Sequence, residues 1–344
     1  MTENHFFADL EQSISKVESE NIFILTDSNT EKYCLPLLLK IDKLKHSKII
    51  TIPQGDENKT IESASFIWKF LSENGATRHS LMINLGGGMI TDIGGFCAAT
   101  FKRGMPYINL PTTLLGAVDA ATGGKTGVNF LGLKNEIGVF VPPEKTIFNV
   151  DFFKTLDEKN LLSGYAEMLK HALLSTNDLW NETLNFNPEN PDFEQLRQLL
   201  PKNIAIKENI VAQDPKEHGL RKALNLGHTF GHAFESFSYR NNTAILHGYA
   251  IMFGLICELY LSFVKLNFPK EKLLKIKYLA REFYGNPDFL CSDYTTLYEL
   301  MIHDKKNETK EINFTLLVDI GDIHINQTAT KEEIFECFDY LREG

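Results

Sequence analysis

The chain has 344 residues, 43% of them hydrophobic, which is ample for a large core and favours two domains. Its formal charge of −10 argues against nucleic acid or an anionic membrane as the main partner. Five cysteines (Cys34, Cys97, Cys257, Cys291 and Cys337) show no paired spacing, the N-terminus MTENHFFADLEQ lacks an apolar signal core, and no run of about 18 apolar residues stands out. A soluble, reduced, cytoplasmic protein without internal repeats is expected.

From residue 21 to 150 short apolar runs alternate with helical patterns. NIFILTD, KIITIP, LMINLGGG, YINLPTT and TIFNV read as strands, with amphipathic stretches from Glu31 to Lys45 and from Thr60 to Asn74 between the first three. Such alternation predicts βαβ units and a parallel sheet. Ligands of parallel sheets sit at the carboxyl ends of the strands, where this sequence places Asp27, Gln54-Gly55-Asp56, Gly86-Gly87-Gly88 and Thr112-Thr113. The triple glycine follows a strand and opens the helical MITDIGGFCAATF, so backbone N–H groups there are suited to a pyrophosphate. It is not the G-x-G-x-x-G fingerprint, and such turns often only turn. The stretch PTTLLGAVDAATGGKTGVNFLGLKNEIG has little periodicity and reads as a long functional loop, in which Lys125 and Lys134 are placed to meet an anion.

After Val150 the pattern becomes helical. LLSGYAEMLKHALL buries Leu161, Tyr165, Met168 and Ala172 on one face, with Glu167 and Lys170 three apart on another, either as a local ion pair or as a carboxylate and a lysine facing one cavity. LPKNIAIKENIVAQDP is a further helix and carries Lys207. Across 221–249, read as a helix, Arg221, Asn225, His228, His232 and Glu235 form one polar stripe opposite Ala223, Phe230, Phe234 and Phe237. Two histidines at i and i+4 can reach one ion from adjacent turns, and His247 follows in a turn-like Leu-His-Gly context. Imidazoles with one carboxylate suit zinc. A solvated stripe with capped histidines is the plainer account of the same pattern. Near the C-terminus INFTLLVD and DIHIN form a strand pair, and Thr330 to Glu333 is a capping box for the last helix.

In order along the chain, GGGMITDIGGFCAATFKRG, PTTLL followed by VD and GGKTGVN, KNEIG, GYAEMLKHALL, LNLGHTFGHAFE and LHGYA resemble the signature segments of the 3-dehydroquinate synthase family, within the sugar phosphate cyclase superfamily. The resemblance spans roughly residues 50 to 310. It implies an α/β chain with a Rossmann-like NAD-binding domain over 1–150 and a mainly α-helical metal- and substrate-binding domain over 151–344, assembled as a homodimer. It makes Glu167, His228 and His247 the ligands of zinc, with cobalt as an alternative ion. NAD would be held by Asp27, Asp56, Lys59, Gly86, Gly87, Gly88, Asp92, Thr112, Thr113, Asp119, Lys125 and Lys134. A small sugar acid phosphate would meet Lys125, Asn135, Lys170, Lys207, Arg221, Asn225, His232, the Lys305-Lys306 pair, and Arg103 reaching from a neighbouring subunit. Of these, Lys170, Lys207, His232, Arg221, Asn225 and Lys125, together with Asp119, would act in catalysis.

The implied reaction converts 3-deoxy-D-arabino-heptulosonate 7-phosphate to 3-dehydroquinate and phosphate, with NAD reduced and reoxidised within one turnover. Paired Arg and Lys suit a substrate carrying both carboxylate and phosphate. The sequence departs from the family pattern at Tyr249 (HGYA for HGEA), Ala117, Ala120-Ala121, Leu133 and Asp56. A sister cyclase of the 2-deoxy-scyllo-inosose synthase type and a metal-dependent polyol dehydrogenase are the alternatives.

Overall fold

The computed structural model describes residues 3–131, 133–302 and 312–343. They form two compact units, one running to Asp157 and including Phe193–Ile204, the other made of Glu158–Asp192 and the described residues from Ala205 onward.

The first unit opens with α1 (Glu3–Ile14), β1 (Ile22–Asp27), α2 (Ser28–Tyr33), α3 (Leu35–Leu38) and β2 (Lys48–Ile52). It continues with α4 (Ile61–Glu73), β3 (Leu81–Gly86), α5 (Gly88–Thr100) and β4 (Tyr107–Pro111), then β5 (Lys125–Phe130), β6 (Leu133–Phe140) and the two-residue β7 (Lys145–Thr146). The expected parallel sheet is present, in the order β2-β1-β3-β4-β7. Strands β1, β3 and β4 are buried along their whole length, as their continuous apolar runs require. The order reverses between β1 and β3, so the carboxyl ends Asp27 and Gly86 flank the switch point where ligands of open α/β sheets bind.

Two expectations for this unit are corrected. The amphipathic stretch from Glu31 to Lys45 is not one helix. It splits into α2, α3 and a 3₁₀ turn at Asp42–Leu44, because Pro36 in the first turn of α3 has no N–H with which to continue α2. The supposed long loop is largely ordered: a π-helical turn, Gly116–Ala120, leads into the antiparallel hairpin β5–β6, which carries Lys125, Lys134 and Asn135. Its β6 strand is mostly exposed, so it lacks the apolar alternation from which strands are read.

The second unit is mainly helical: α6 (Glu158–Leu173), α7 (Asn177–Leu184), the later part of α8 (Phe193–Gln213), α9 (His228–Arg240), α10 (His247–Leu266), α11 (Lys270–Phe283), α12 (Tyr294–Ile302) and α13 (Lys331–Glu343). The expected antiparallel pair is β8 (Phe314–Asp319) with β9 (Asp322–Gln327), and the capping box is formed, Thr330 N–H donating to Glu333 at 2.8 Å and Glu333 N–H to Thr330 Oγ1 at 3.2 Å. Helix α10 is the axis of this unit, packing against α6, α9, α11, α13 and β8. Among the described residues it alone is long and apolar enough to cross a membrane, with a mean hydropathy of 1.6, and 67% of that window is buried in the protein. Glu258 and Lys265 interrupt its apolar run, which hides it from a search for unbroken apolar sequence.

The stretch 221–249 is not one helix either. Arg221 and Asn225 lie on a 3₁₀ turn, Leu220–Asn225, and Gly227 breaks the chain with a left-handed φ of 79° before α9 begins at His228. A β-carbon on Gly227 would lie 2.9 Å from the Leu255 side chain, so both the backbone angle and the packing exclude other residues. The apolar stripe still holds, with Ala223, Phe230, Phe234 and Phe237 all buried.

Candidate metal centre and nucleotide cradle

In the second unit three helices deliver one side chain each to a common point. Glu167 comes from the middle of α6 and is fully buried, His228 is the first residue of α9, and His247 is the first residue of α10. Their nearest ligand atoms lie within 4.8 Å of one another, with Glu167 Oε1 3.5 Å from His228 Nε2 and 3.4 Å from His247 Nε2. Close backbone approach makes the convergence possible. Gly248 donates its N–H to Ser163 Oγ at 3.0 Å, and a β-carbon there would fall 2.0 Å from the Ser163 carbonyl oxygen. At Gly254 a β-carbon would fall 1.9 Å from the Gly227 carbonyl oxygen. Side chains at either position would push α10 away from α6 or α9 and separate Glu167, His228 and His247.

Both imidazoles are oriented from behind. His228 Nδ1 lies 3.1 Å from the Leu226 carbonyl and donates to it, which turns Nε2 toward Glu167 as the acceptor nitrogen. His247 Nδ1 lies 3.4 Å from Glu235 Oε2, a carboxylate–histidine pair of the kind that fixes metal-ligating imidazoles. Burial works against a charged His247, but Glu167 and Glu235 override it and raise its pKa to about 10. This donor set of two nitrogens and one carboxylate fits a divalent zinc-like ion.

His232 stands one turn along α9, its ring 5.4 Å from that of His228 and 6.1 Å from that of His247, beside the cluster of three. Lys170, buried on the same face of α6, pairs with Glu167 Oε2, so the couple is an ion pair and also belongs to the cluster; α6 is buried on every side here rather than on one stripe. Arg221 is buried and anchored through its N–H to Asp214 at 3.1 Å and through Nη1 to the Pro215 carbonyl at 2.7 Å. Asn225 donates to Glu217 at 3.1 Å, and Lys207 is buried on α8. The Lys305-Lys306 pair lies outside the described residues.

The first unit holds a second polar cluster. Lys59, on the loop before α4, is buried and donates to Asp92 at 3.0 Å and to Asn135 Oδ1 at 2.7 Å, with Asp56 at 3.4 Å. Lys134 lies 3.4 Å from Asp56, and Asn129 ties hairpin to loop by donating to the Asp56 carbonyl at 3.0 Å while its own carbonyl accepts from Asn135 N–H at 3.0 Å. Burial opposes the charges of both Asp56 and Lys59, yet Lys59 with Lys134 hold the Asp56 carboxyl below its ordinary range, and Asp92 with Asp56 hold the Lys59 ammonium above its own. Burial prevails at Asp92 and raises its carboxyl despite Lys59.

Gly86–Gly88 turns from β3 into α5 against the segment that follows β4. Thr112 N–H donates to the Gly86 carbonyl at 2.9 Å, and a β-carbon on Gly87 would lie 2.9 Å from the Thr113 methyl. Thr112 Oγ1 is enclosed and finds no hydrogen-bond partner among the described residues. A glycine-lined helix N-terminus beside a waiting hydroxyl fits a pyrophosphate-bearing cofactor. Asp27 sits at the end of β1 as expected, but one of its oxygens caps α2, accepting from Asn29 and Thr30 N–H at 2.9 Å each. Asp119 lies on the π-helical turn, Lys125 is exposed at the start of β5, and Arg103 is exposed after α5 with a φ of 67°.

The model of the 3-dehydroquinate synthase N-terminal domain matches residues 49–163, and that of its C-terminal domain matches 164–307. The chain belongs to the 3-dehydroquinate synthase family. A relative named 3-dehydroquinate synthase, from Parabacteroides distasonis, is 51% identical over 337 residues, covering 98% of this chain and 96% of its own. Another of that name, from Listeria innocua, is 38% identical over 96% of this chain and 90% of its own. Among solved structures, 2-deoxy-scyllo-inosose synthase complexed with carbaglucose-6-phosphate, NAD+ and Co2+ superposes with a TM-score of 0.82 at 22% identity, covering 97% of this chain and 94% of its own. The 2-epi-5-epi-valiolone synthase from Streptomyces hygroscopicus, with NAD+ and Zn2+ bound, gives 0.81 at 24% identity over 93% of this chain and 90% of its own. These structures share the fold of this 3-dehydroquinate synthase family member.

Two residues that contact the cluster, Glu235 and Glu258, are not singled out by the sequence. Glu235 is only one member of the polar stripe, although a carboxylate at i+7 from a candidate metal-binding histidine is a signal. Glu258, described below, is conspicuous only as the one acid in an otherwise apolar helix.

Proposed function

We propose that the protein is a 3-dehydroquinate synthase, turning 3-deoxy-D-arabino-heptulosonate 7-phosphate into 3-dehydroquinate and phosphate with NAD and a divalent metal ion, zinc or cobalt. The observation that carries the reading is the convergence of Glu167, His228 and His247, each histidine oriented through its other nitrogen, in a chain 51% identical to a protein of that name. When bound, the metal serves as a Lewis acid and NAD takes up and returns a hydride.

The chain's own residues bind, orient and neutralise. Residues 1–150 form the nucleotide-binding domain: the Gly86–Gly88 turn would hold the pyrophosphate with Thr112 and Thr113 beside it, and the Asp56, Lys59, Asp92 and Lys134 cluster would receive the adenosine side, with Asp27, Asp119 and Lys125 completing the set. The remainder, 151–344, holds metal and substrate. Glu167, His228 and His247 are the ligands. Arg221 and Lys207 clamp the substrate carboxylate, and Arg221 enters pre-aimed by its bonds to Asp214 and Pro215. Lys170, Asn225 and His232 surround the reacting ring, and Lys125 and Asn135 supply anion contacts for the departing phosphate. The working form is a cytoplasmic homodimer in which Arg103, exposed at the end of α5, serves the neighbouring subunit.

The test is to incubate the protein with the heptulosonate phosphate, zinc and substoichiometric NAD, following phosphate and NADH together. Phosphate equal to substrate consumed, without lasting NADH absorbance, is expected. One NADH per product without phosphate would assign a dehydrogenase instead.

A further inference from the structure

Helix α9 begins without a capping side chain of its own. Its N-cap is Gly227, and the first-turn N–H groups next to His228 therefore need acceptors from elsewhere. They find one on α10. Glu258, fully buried, accepts from Gly227 N–H at 2.8 Å through Oε2 and from Thr229 N–H at 3.2 Å through Oε1. One carboxylate thus grips the backbone on both sides of His228 and places negative charge at the positive end of α9. It lies one helical turn beyond Gly254, the point where α10 touches the Gly227 carbonyl, and on the same helix as His247. The backbone carbonyl of Glu258 accepts from Ser262 Oγ at 2.7 Å, and that hydroxyl accepts from Leu317 N–H of β8 at 3.0 Å; neither bond touches the carboxylate that grips the turn.

We infer that Glu258 is a positioning residue for the metal centre: it holds the 227–229 turn so that the Leu226 carbonyl keeps His228 Nδ1 and Nε2 stays turned toward Glu167. Helix α10 then supplies one imidazole, His247, and fixes the other, His228, through a single rigid element. A helix that carried only His247 would have no use for a carboxylate in its apolar interior, where an acid is costly unless its oxygens are bonded. The inference rests on the metal reading above.

The test uses the metal-free full chain titrated with zinc against a chromophoric chelator, and with cobalt for its visible absorption bands. Glu258→Gln keeps shape and burial but can accept only one of the two N–H groups, and it should weaken zinc binding tenfold to a hundredfold and alter the cobalt bands. Ser262→Ala, one turn further along α10, should lower the melting temperature with zinc affinity unchanged. Equal loss of affinity in both variants would mean general loosening of α10 and would overturn the inference. Unchanged affinity and spectrum in Glu258→Gln, with affinity lost in His228→Ala, would overturn it while sparing the metal centre. Unchanged affinity in His228→Ala would remove the metal reading and the inference with it.

Discussion

The two polar clusters of this protein differ in how their charges are balanced. In the first unit Asp56 and Asp92 face Lys59 and Lys134, two carboxylates against two ammoniums, on a loop, helix α5 and the hairpin. In the second, Glu167 stands among two imidazoles and Lys170 on three packed helices, with Glu235 behind. A neutral cluster coheres by itself and offers polar edges to a ligand. A cluster whose nitrogens are turned inward by outer partners is organised around a cation. The lesson is that the first site should tolerate loss of single contacts, whereas the second should fail as a unit.

The sharpest break of that contrast is Glu167→Gln. Losing the sole carboxylate among the three proposed ligands should cut turnover by about a thousandfold or more and abolish stoichiometric zinc uptake, measured by metal analysis after dialysis. Because the surrounding core does not depend on the ion, far-UV circular dichroism should be preserved. Arg221→Ala comes next, with kcat/KM expected to fall about a hundredfold, the size of a charge-assisted hydrogen-bonded pair; an unchanged value would show that the carboxylate binds elsewhere.

Metal uptake at the second cluster should depend steeply on pH. His247 is held protonated in the metal-free protein, with a pKa raised from 6.5 to about 10, so its stabilising contribution is complete below 6.5 and is lost as pH rises through about 10. Metal needs the neutral ring, so binding must expel a proton, and apparent zinc affinity should weaken about tenfold for each pH unit lowered across this range. Calorimetry in buffers of different ionisation heat should give close to one proton released from this residue per ion. The smallest effect belongs to the first unit. Thr112→Val removes a hydroxyl that has no partner among the described residues, so the melting temperature should hold or rise while NAD binding weakens about fivefold, near 1 kcal/mol.

Much of this architecture is legible in the chain itself. Strands β1, β3 and β4 declare themselves because both faces are buried and the apolar run is unbroken, and the glycine turn at 86–88 is visible as the end of one of them. Hairpin β5–β6 does not, since β6 is exposed and its Leu133, Lys134 and Asn135 follow no period-two pattern. In the second unit the polar stripe of 221–235 is carried by a 3₁₀ turn and a separate helix, not by the one helix its spacing suggests. Gly227 breaks the helix, yet Glu258 restores the caps from another helix, 31 positions along the chain, and no local pattern reports that. His247 in the cluster while His232 lies beside it is likewise a tertiary outcome, set by the close contacts at Gly248 and Gly254.

Helix α10 has a consequence for how the chain reaches its native state. It is apolar on nearly every face, and until α6, α9, α11, α13 and β8 close around it, it is a 20-residue segment with the hydropathy of a membrane span and nowhere to hide it. Its partners lie both before it and up to 80 positions after it, as the Cys257 contact with the Cys337 carbonyl records, so on a ribosome it must wait for the C-terminal helix. Truncation near α13 should therefore show itself first as aggregation through α10, well before any change at the Gly86–Gly88 turn.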